Sequence, residues 1–270
     1  MEMKARDELA LAFGRIVSEA GNLILSMRPA EEGTAELGTR RKPDGSLVCR
    51  ADLEAEALVL ARVAAVLPGV AILAEESFAS ARPDVPDRFL LVDPLDGTRE
   101  FLAGRADFTV NIALIEAGDP VAGAIAAPAR HQVYVGGAAA FTADLAPDGT
   151  LTAGALRPIA TRSVPATGLA ALVSRSHLDA ETEEWLRRGD IAGFARTGSS
   201  LKFCLIARGE ADVYPRLAPT MEWDTAAGQA ILNAAGGAVL TLDGSRLRYG
   251  KRDLGFKNGG FIAWGRKPIA

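Results

Sequence analysis

Two aspartates that stand where a buried strand gives way to a turn constrain both the fold and the chemistry of this chain. The apolar run at residues 89–92 predicts a buried strand that ends at Asp93. Pro94 then fixes one backbone torsion, and Gly97 allows a sharp turn after Asp96. The two carboxylates can therefore converge on one point at the end of the strand.

The atoms of this segment suit a cation beside a phosphate. The two carboxylates and the backbone carbonyl of Leu95 are hard oxygen ligands of the kind that Mg²⁺ prefers. Gly97 and Thr98 offer backbone N–H groups where a helix opens, which suits a phosphate, and Thr98 adds a hydroxyl. A metal ion beside a phosphate indicates phosphoryl chemistry. Since Asp-Pro and Asp-Gly are also ordinary turn dipeptides, a plain turn is the alternative interpretation of this segment alone.

Composition limits the classes of protein to which such a site can belong. The chain has 270 residues, 49% of them hydrophobic, and a net charge of −4. This length provides a sizeable core in one large domain or two lobes, and the lack of a basic surplus argues against nucleic acid as a partner. Cys49, Cys204, His131 and His177 are too few for a disulfide framework or a zinc site. The charged N-terminus and the lack of an apolar run of about 20 residues predict a cytoplasmic protein without a transmembrane segment.

Residues 1–150 are predicted to form an N-terminal lobe that carries most of the acidic site. Apolar residues at helical spacing predict an opening helix over residues 9–27 and a second helix over residues 52–67. Period-two alternation predicts a strand over residues 108–114. Three further apolar runs predict strands over residues 70–74, 121–127 and 133–135. We therefore expect two helices and an antiparallel sheet in this lobe.

Residues 151–270 are predicted to form a C-terminal α/β lobe, because the chain becomes rich in Gly, Pro and Thr around residues 143–163. Its predicted elements are a strand at 170–174, a helix at 179–188, a helix from Ser199 or Ser200 to Gly209, a strand at 213–214 and a helix from about 223 to 236.

Other acidic residues also stand at the edges of regular elements. Glu75 and Glu76 follow a predicted strand, and Asp224 stands at the start of the last helix. Strand ends and helix starts are where α/β proteins build their sites. Taken singly, Glu75 is explained as a solvated loop acid, and Asp224 as an acid that stabilises a helix N-terminus.

Three segments in order resemble the signature of the inositol monophosphatase superfamily. They are Ala-Glu-Glu-Ser at residues 74–77, Val-Asp-Pro-Leu-Asp-Gly-Thr at 92–98 and Trp-Asp-Thr-Ala-Ala-Gly at 223–228. Further segments resemble its CysQ-type 3′(2′),5′-bisphosphate nucleotidase branch, at residues 108–114, 174–177, 198–204 and 214–216. The resemblance runs through nearly the whole chain and implies an α/β (α+β) fold, a two-lobed αβαβα sandwich.

This resemblance implies a Mg²⁺-dependent phosphatase that converts adenosine 3′,5′-bisphosphate to AMP and phosphate. It further implies lithium sensitivity, a place in sulfate assimilation, and two or more Mg²⁺ ions that activate water. The implied ligands are Glu75, Asp93 and the Leu95 carbonyl for one ion, and Asp93, Asp96 and Asp224 for a second. Asp52 and Thr98 would orient the water, with Glu75 also in the catalytic set.

The same resemblance implies contacts with the nucleotide. The N–H groups of Gly97 and Thr98 would bind the phosphate that leaves. Lys202 and Arg216 would hold the second phosphate, and His177 would lie against the adenine. The implied substrate-binding set is Glu75, Leu95, Asp96, Gly97, Thr98, Ser174, His177, Gly198, Ser199, Lys202, Arg216 and Asp224. Singly, the second-phosphate and adenine residues are equally explained as a solvated lysine, a surface arginine and a loop histidine.

One position departs from the family pattern, which usually has Thr three residues before the water-orienting Asp. Cys49 occupies that position before Asp52. Cysteine is nearly the size of threonine but is a weak hydrogen-bond partner, so we expect a weakened water-orienting network and unaffected metal ligands.

Two other functions are alternatives. One is an inositol or sugar phosphatase of the same superfamily, against which Ser199, Lys202 and Arg216 argue, because simple monophosphates carry no second phosphate. The other is a regulator that binds metal or nucleotide and has lost catalysis, against which the full set of acids argues. The sequence leaves the oligomeric state open between a monomer and a homodimer.

Overall fold

The computed structural model describes residues 2–28, 37–43, 45–78, 85–146, 148–176 and 178–266. Within these ranges the helices are α1 (Met3–Ser26), α2 (Arg50–Val66), α3 (Thr98–Leu102), α4 (Ala180–Arg188), α5 (Leu201–Ala207) and α6 (Ala226–Ala234). The strands are β1 (Arg40–Arg41), β2 (Leu47–Val48), β3 (Ala71–Ala74), β4 (Arg88–Asp96), β5 (Thr109–Glu116), β6 (Asp119–Ala127), β7 (Gln132–Gly136), β8 (Ala140–Asp144), β9 (Arg157–Pro158), β10 (Leu169–Ser174), β11 (Ile191–Thr197), β12 (Val213–Arg216), β13 (Thr220–Met221), β14 (Ala238–Thr241), β15 (Lys257–Asn258) and β16 (Phe261–Trp264).

The larger sheet has the strand order β3-β4-β5-β6-β7-β8-β9 and is antiparallel except between β3 and β4. Both of its faces are buried. Leu90 and Val92 of β4 belong to the core beneath α1 and α2, whereas Phe89 and Leu91 belong to the core beneath α5 and α6. Burial on both faces explains why β4 and β6 are apolar runs in the sequence rather than alternating patterns.

The smaller sheet has the order β11-β10-β12-β16-β14. Its first three strands are parallel, and the last three are antiparallel. One face shares the core of α5 and α6, and the other packs against α4 through Leu186 and Val173. The layers are therefore α1/α2, large sheet, α5/α6, small sheet and α4, which confirms the predicted αβαβα sandwich.

The longest helix, α1, is long and apolar enough to cross a membrane by length and composition alone. Its apolar stripe, however, includes Phe13, Val17 and Ile24, which are fully buried against the large sheet and α2. This is the behaviour expected of a core helix in a folded domain.

Several element boundaries differ from the sequence prediction. Strand β4 continues past Asp93 to Asp96, with an irregular register against β5 between these two residues. Helix α6 begins at Ala226 rather than near Trp223. Strands β8, β11, β14 and β16 were not predicted from the sequence, nor were the two-residue strands β1, β2, β9, β13 and β15. Strand β9, at residues 157–158, is the edge strand of the large sheet, and the division into lobes of residues 1–150 and 151–270 stays a proposal.

Candidate active site

Three carboxylates from distant parts of the chain meet in one place. Glu75 directly follows β3, and its N–H donates to the carbonyl of Val92, so it lies beside Asp93 on the neighbouring strand. Asp224 comes from the segment before α6. Glu75, Asp93 and Asp224 each present an oxygen within 4.8 Å of the others. The structure thus gathers three of the acids for which the sequence predicts a ligand role.

Burial and mutual repulsion make this cluster costly without a cation. Burial, opposed by Lys42 and reinforced by Asp224, raises the pKa of Glu75 to about 8. Burial together with Asp224 raises the pKa of Asp96 to about 7. The pKa of Asp93 also lies well above its usual value, through burial and the carboxylates around it. Carboxylate oxygens gathered in this way fit a hard divalent cation such as Mg²⁺.

Asp96 and Leu95 are held by the turn that ends β4. Asp96 Oδ2 accepts a hydrogen bond of 2.5 Å from the N–H of Ser200. The N–H of Leu95 donates to Asp93 Oδ1 at 3.0 Å, which fixes the peptide that carries the Leu95 carbonyl. On the other side of the cluster, Thr220 Oγ1 and the N–H of Met221 both donate to Asp224 Oδ2.

Asp52 lies behind this cluster and is linked to it through Thr98. Thr98 Oγ1 donates to Asp52 Oδ1 at 2.8 Å, while the N–H and Sγ of Cys49 both donate to Asp52 Oδ2 at 2.8 Å. Burial raises the pKa of Asp52, against the effect of these hydrogen bonds. Burial and the carboxylate of Asp52 raise the pKa of the Cys49 thiol to about 12, so Cys49 remains a donor. The cysteine therefore occupies the position of the usual threonine without breaking the contact.

Two glycine turns form the walls of the cleft. Gly97 has φ 98° and precedes α3, which begins at Thr98. A side chain at Gly97 would meet the carbonyl of Asp107 at 3.1 Å, and one at Gly198 would meet the same carbonyl at 2.6 Å. Glycine is thus required at both positions, by conformation in the first turn and by close approach in the second.

The cleft between these walls has a volume of about 200 Å³. The predicted site residues among its lining are Glu75, Asp93, Leu95, Asp96, Gly97, Thr98, Ser174, Gly198, Ser199, Lys202, Arg216 and Asp224. Asp52 is not in the lining and reaches the cleft only through Thr98. His177, predicted to contact the adenine, lies outside the described residues.

The two predicted phosphate cations are more buried than the sequence suggests. Lys202 is 2% exposed, and its Nζ donates to the carbonyls of Thr197 at 3.2 Å and Ser199 at 2.5 Å. Its ammonium also lies 4.8 Å from the centre of the Tyr214 ring. Arg216 donates to the carbonyl of Pro219 at 3.3 Å, and its Nε is buried with no protein partner among the described residues.

Several polar contacts around the site were not predicted from the sequence. Lys42 Nζ bridges Glu75 Oε1 at 2.8 Å and Glu76 Oε1 at 2.7 Å. Glu75 and Glu76 follow Lys42 by 33 and 34 residues in the chain, so no local pattern indicates this bridge. Ser199 or Ser200 was expected to cap a helix. Ser200 stands before α5 without a side-chain capping bond, and its hydroxyl contacts Asn111 and Thr109, each at 2.7 Å, whereas Ser199 Oγ accepts a hydrogen bond of 3.4 Å from the N–H of Leu201.

The inositol monophosphatase family matches residues 6–265, and the chain belongs to that family. Among its relatives, 3′(2′),5′-bisphosphate nucleotidase CysQ of Escherichia coli (strain K12) is 36% identical over 255 residues, which are 92% of this chain and 96% of the relative. CysQ of Salmonella typhimurium is 37% identical over the same shares of both chains. The crystal structure of CysQ from Bacteroides thetaiotaomicron has a TM-score of 0.81 and 33% identity, covering 97% of this chain and 98% of that one.

Proposed function

We propose that this chain is a Mg²⁺-dependent phosphatase that hydrolyses the 3′-phosphate of adenosine 3′,5′-bisphosphate, giving AMP and phosphate. The observation that carries the proposal is the convergence of Glu75, Asp93 and Asp224 within 4.8 Å, in a cleft that also holds Lys202 and Arg216. A cleft lined by both acids and cations suits a substrate with one reacting phosphate and one that is only bound. The similarity to bisphosphate nucleotidases supports the same substrate class.

Glu75, Asp93, Asp96, Asp224 and the Leu95 carbonyl are proposed to hold two or more Mg²⁺ ions. When bound, these cations supply positive charge that lowers the pKa of water and offsets the charge of the phosphate. Without them, the carboxylates would repel the substrate.

The pair Thr98 and Asp52 is proposed to orient the attacking water. The single hydroxyl hydrogen of Thr98 has two acceptors in reach, Asp52 Oδ1 at 2.8 Å and the Leu95 carbonyl at 3.3 Å, so with its hydrogen on either of them the oxygen of Thr98 accepts a hydrogen bond from the cleft. A water there would donate to Thr98 and aim a lone pair at phosphorus. The water oxygen joins phosphorus as the bond from phosphorus to the 3′-oxygen breaks. One of the two water protons ends on the 3′-oxygen, which leaves as a hydroxyl, and the other stays on the released phosphate.

The substrate phosphates are proposed to bind at opposite walls. The N–H groups of Gly97 and Thr98 open α3 and would bind the reacting phosphate. Lys202 has three N–H donors, of which two reach the carbonyls of Thr197 and Ser199, so one remains for the second phosphate. Arg216 would add its guanidinium group, and Ser174, Gly198 and Ser199 would line the nucleotide path.

A substrate panel tests this proposal against an inositol or sugar phosphatase. Phosphate release is measured with Mg²⁺ on adenosine 3′,5′-bisphosphate, inositol 1-phosphate and fructose 1,6-bisphosphate, with chelator controls. We expect the highest kcat/KM on the adenosine bisphosphate and no release in chelator. A higher kcat/KM on either other substrate would reassign the substrate class, and no release from any of them would favour a regulator without catalysis.

The setting of this reaction is part of the same proposal. The substrate is a small molecule, and neither nucleic acid nor a membrane is proposed as a partner. We place the enzyme in the cytoplasm, in the recycling of nucleotide by-products of sulfate assimilation.

A further inference from the structure

Asp107 is a buried carboxylate outside the acidic cluster that touches both walls of the cleft. It lies in the segment between α3 and β5 and is 5% exposed. Its carboxylate accepts hydrogen bonds from Arg130 Nη2 at 2.7 Å, Arg175 Nη2 at 2.8 Å and the N–H of Gly198 at 3.4 Å. Neither the metal-site proposal nor the substrate proposal gives this residue a role.

The partners of Asp107 come from both proposed lobes. Arg130 follows β6 of the large sheet, whereas Arg175 follows β10 of the small sheet. Arg175 Nη2 also donates to the carbonyl of Arg196 at 2.9 Å, which ties it to the strand that leads into Gly198. Burial raises the pKa of Asp107, but the two guanidinium groups outweigh it and hold this pKa below its usual value. The carboxylate is therefore a charged link between the two sheets.

The turn at residues 198–200, whose Gly198 N–H donates to Asp107, contains a residue in an uncommon backbone conformation. Ser199 has φ 53°, a conformation that is sparsely populated by residues other than glycine. The next N–H, that of Ser200, donates to Asp96, and the carbonyl of Ser199 accepts from Lys202. A shift of this turn would therefore change the distance between an acid of the metal site and a cation of the second-phosphate site.

We infer that Asp107 is a positioning residue that fixes the Gly198–Ser200 turn against the Gly97 turn and so sets the spacing between the two phosphate sites. Its side chain holds the N–H of Gly198, and its backbone carbonyl packs where any side chain at Gly97 or Gly198 would lie. This spacing selects a substrate with two phosphates at a fixed separation. The inference rests on the proposed function, since it assigns the second-phosphate site to Lys202 and its turn.

The isosteric change Asp107→Asn tests the inference in the full-length protein with Mg²⁺. Loss of the charge weakens the contacts to both arginines and to Gly198. We expect KM for adenosine 3′,5′-bisphosphate to rise about tenfold, as for one charge-assisted hydrogen bond, with kcat within about twofold of wild type. KM and kcat for adenosine 3′-monophosphate should stay within about twofold, because this substrate lacks the second phosphate.

Hydrogen exchange gives a readout that does not depend on the substrate. Amides of residues 197–201 should exchange faster in Asp107→Asn than in the wild type, whereas those of β3 should not. Arg175→Gln, which leaves Asp107 paired with Arg130, should change KM and exchange in the same direction by less. Asp144→Asn is the matched control, because it removes an exposed ion pair to Arg157, 2.9 Å long, without touching the cleft.

The outcomes separate this inference from the proposed function. Equal losses of kcat/KM on both substrates, or unchanged exchange at residues 197–201, would overturn the positioning role of Asp107. If the wild type released no phosphate from the bisphosphate while exchange still rose in the variant, the proposed substrate would be wrong. Asp107 would then hold the turn without setting a spacing between two phosphate sites, and the inference would also be overturned. If Asp107→Asn did not fold, unchanged exchange and kinetics in Arg175→Gln would overturn the inference.

Discussion

The N–H of Ser200 donates a 2.5 Å hydrogen bond to Asp96, 104 residues earlier in the chain. This bond joins the residue before α5 to the last residue of β4, and so closes the cleft between the two halves of the molecule. Because Asp96 is both a proposed metal ligand and the acceptor of this bond, the metal site and the nucleotide site share one structural element.

Asp96→Asn and Asp224→Asn should each abolish Mg²⁺-dependent phosphate release while the protein stays folded. The amide has nearly the volume of the carboxylate but lacks the charge that a divalent cation requires. Circular dichroism and a Mg²⁺ titration of activity would check this, with Asp144→Asn as an exposed control. Turnover near that of the wild type at saturating Mg²⁺ in either variant would reject the ligand role.

Lys202→Ala and Arg216→Ala should separate recognition of the second phosphate from the reaction. Each change removes one charge-assisted contact, worth about 1.5–3 kcal/mol. The value of kcat/KM on adenosine 3′,5′-bisphosphate should fall roughly tenfold to over a hundredfold, whereas that on adenosine 3′-monophosphate should hardly change. Steady-state kinetics of both variants on both substrates measure this difference, and Arg157→Ala serves as an exposed control.

Equal losses on the two substrates would show that these cations serve the fold or the metal site instead. The result matters most for Lys202, whose ammonium already bonds to the carbonyls of Thr197 and Ser199.

Gly228→Ala should destabilise the protein through overpacking. A Cβ at Gly228 would lie 2.4 Å from Cδ2 and 2.5 Å from Cγ of the Phe203 ring, which is itself buried. Forcing a methyl group into a packed core costs about 1–3 kcal/mol. Gly193→Ala is the matched control, since a Cβ there has no neighbour within 4 Å. Urea unfolding would measure both, and equal free energies of unfolding in the two variants would contradict the packing.

The metal-free protein should lose stability as pH rises from about 5 to 8. Burial raises the pKa of Glu75 from 4.5 to about 8 and that of Asp96 from 3.8 to about 7. The native state therefore holds more protons than the unfolded state in this range, and unfolding becomes easier as they leave. Mg²⁺ should remove most of the fall in Tm, and Asp96→Asn should reduce it. A Tm that rises over this pH range in chelator would contradict the raised pKa values of Glu75 and Asp96.

The sequence predicts the parts of the fold that have a clear apolar period. Helices α1 and α2 and strand β5 have such a period, whereas β4 and β6 were predicted as continuous apolar runs because both of their faces pack into cores. Strand β11 was missed because five of its residues, 192–196, are exposed and carry no alternation. Strands β14 and β16 were not distinguished from the loops around them; both are four residues long and only partly buried.

The sequence also indicates which acids stand at element edges, but not what surrounds them. The sequence places Glu75, Asp93 and Asp224 near the edges of predicted elements, and their shared ligand role was implied by the family resemblance. The pairing of β3 with β4 brings Glu75 beside Asp93, whereas Asp224 reaches them from the segment before α6. The bridge from Lys42 to Glu75 and the bond from Ser200 to Asp96 depend on how distant segments meet. Local patterns carry no information about such contacts, so a structure is needed to find them.

The identity of the product tests the central claim most directly. Adenosine 3′,5′-bisphosphate is incubated with the wild-type protein and Mg²⁺, and the nucleotide products are separated by chromatography against adenosine 5′-monophosphate and adenosine 3′-monophosphate standards. The proposed placement of the 3′-phosphate at the acidic cluster and of the 5′-phosphate at Lys202 and Arg216 predicts adenosine 5′-monophosphate and an equal amount of phosphate, both abolished in Asp224→Asn. Release of adenosine 3′-monophosphate, or no product while inositol 1-phosphate is hydrolysed, would contradict it.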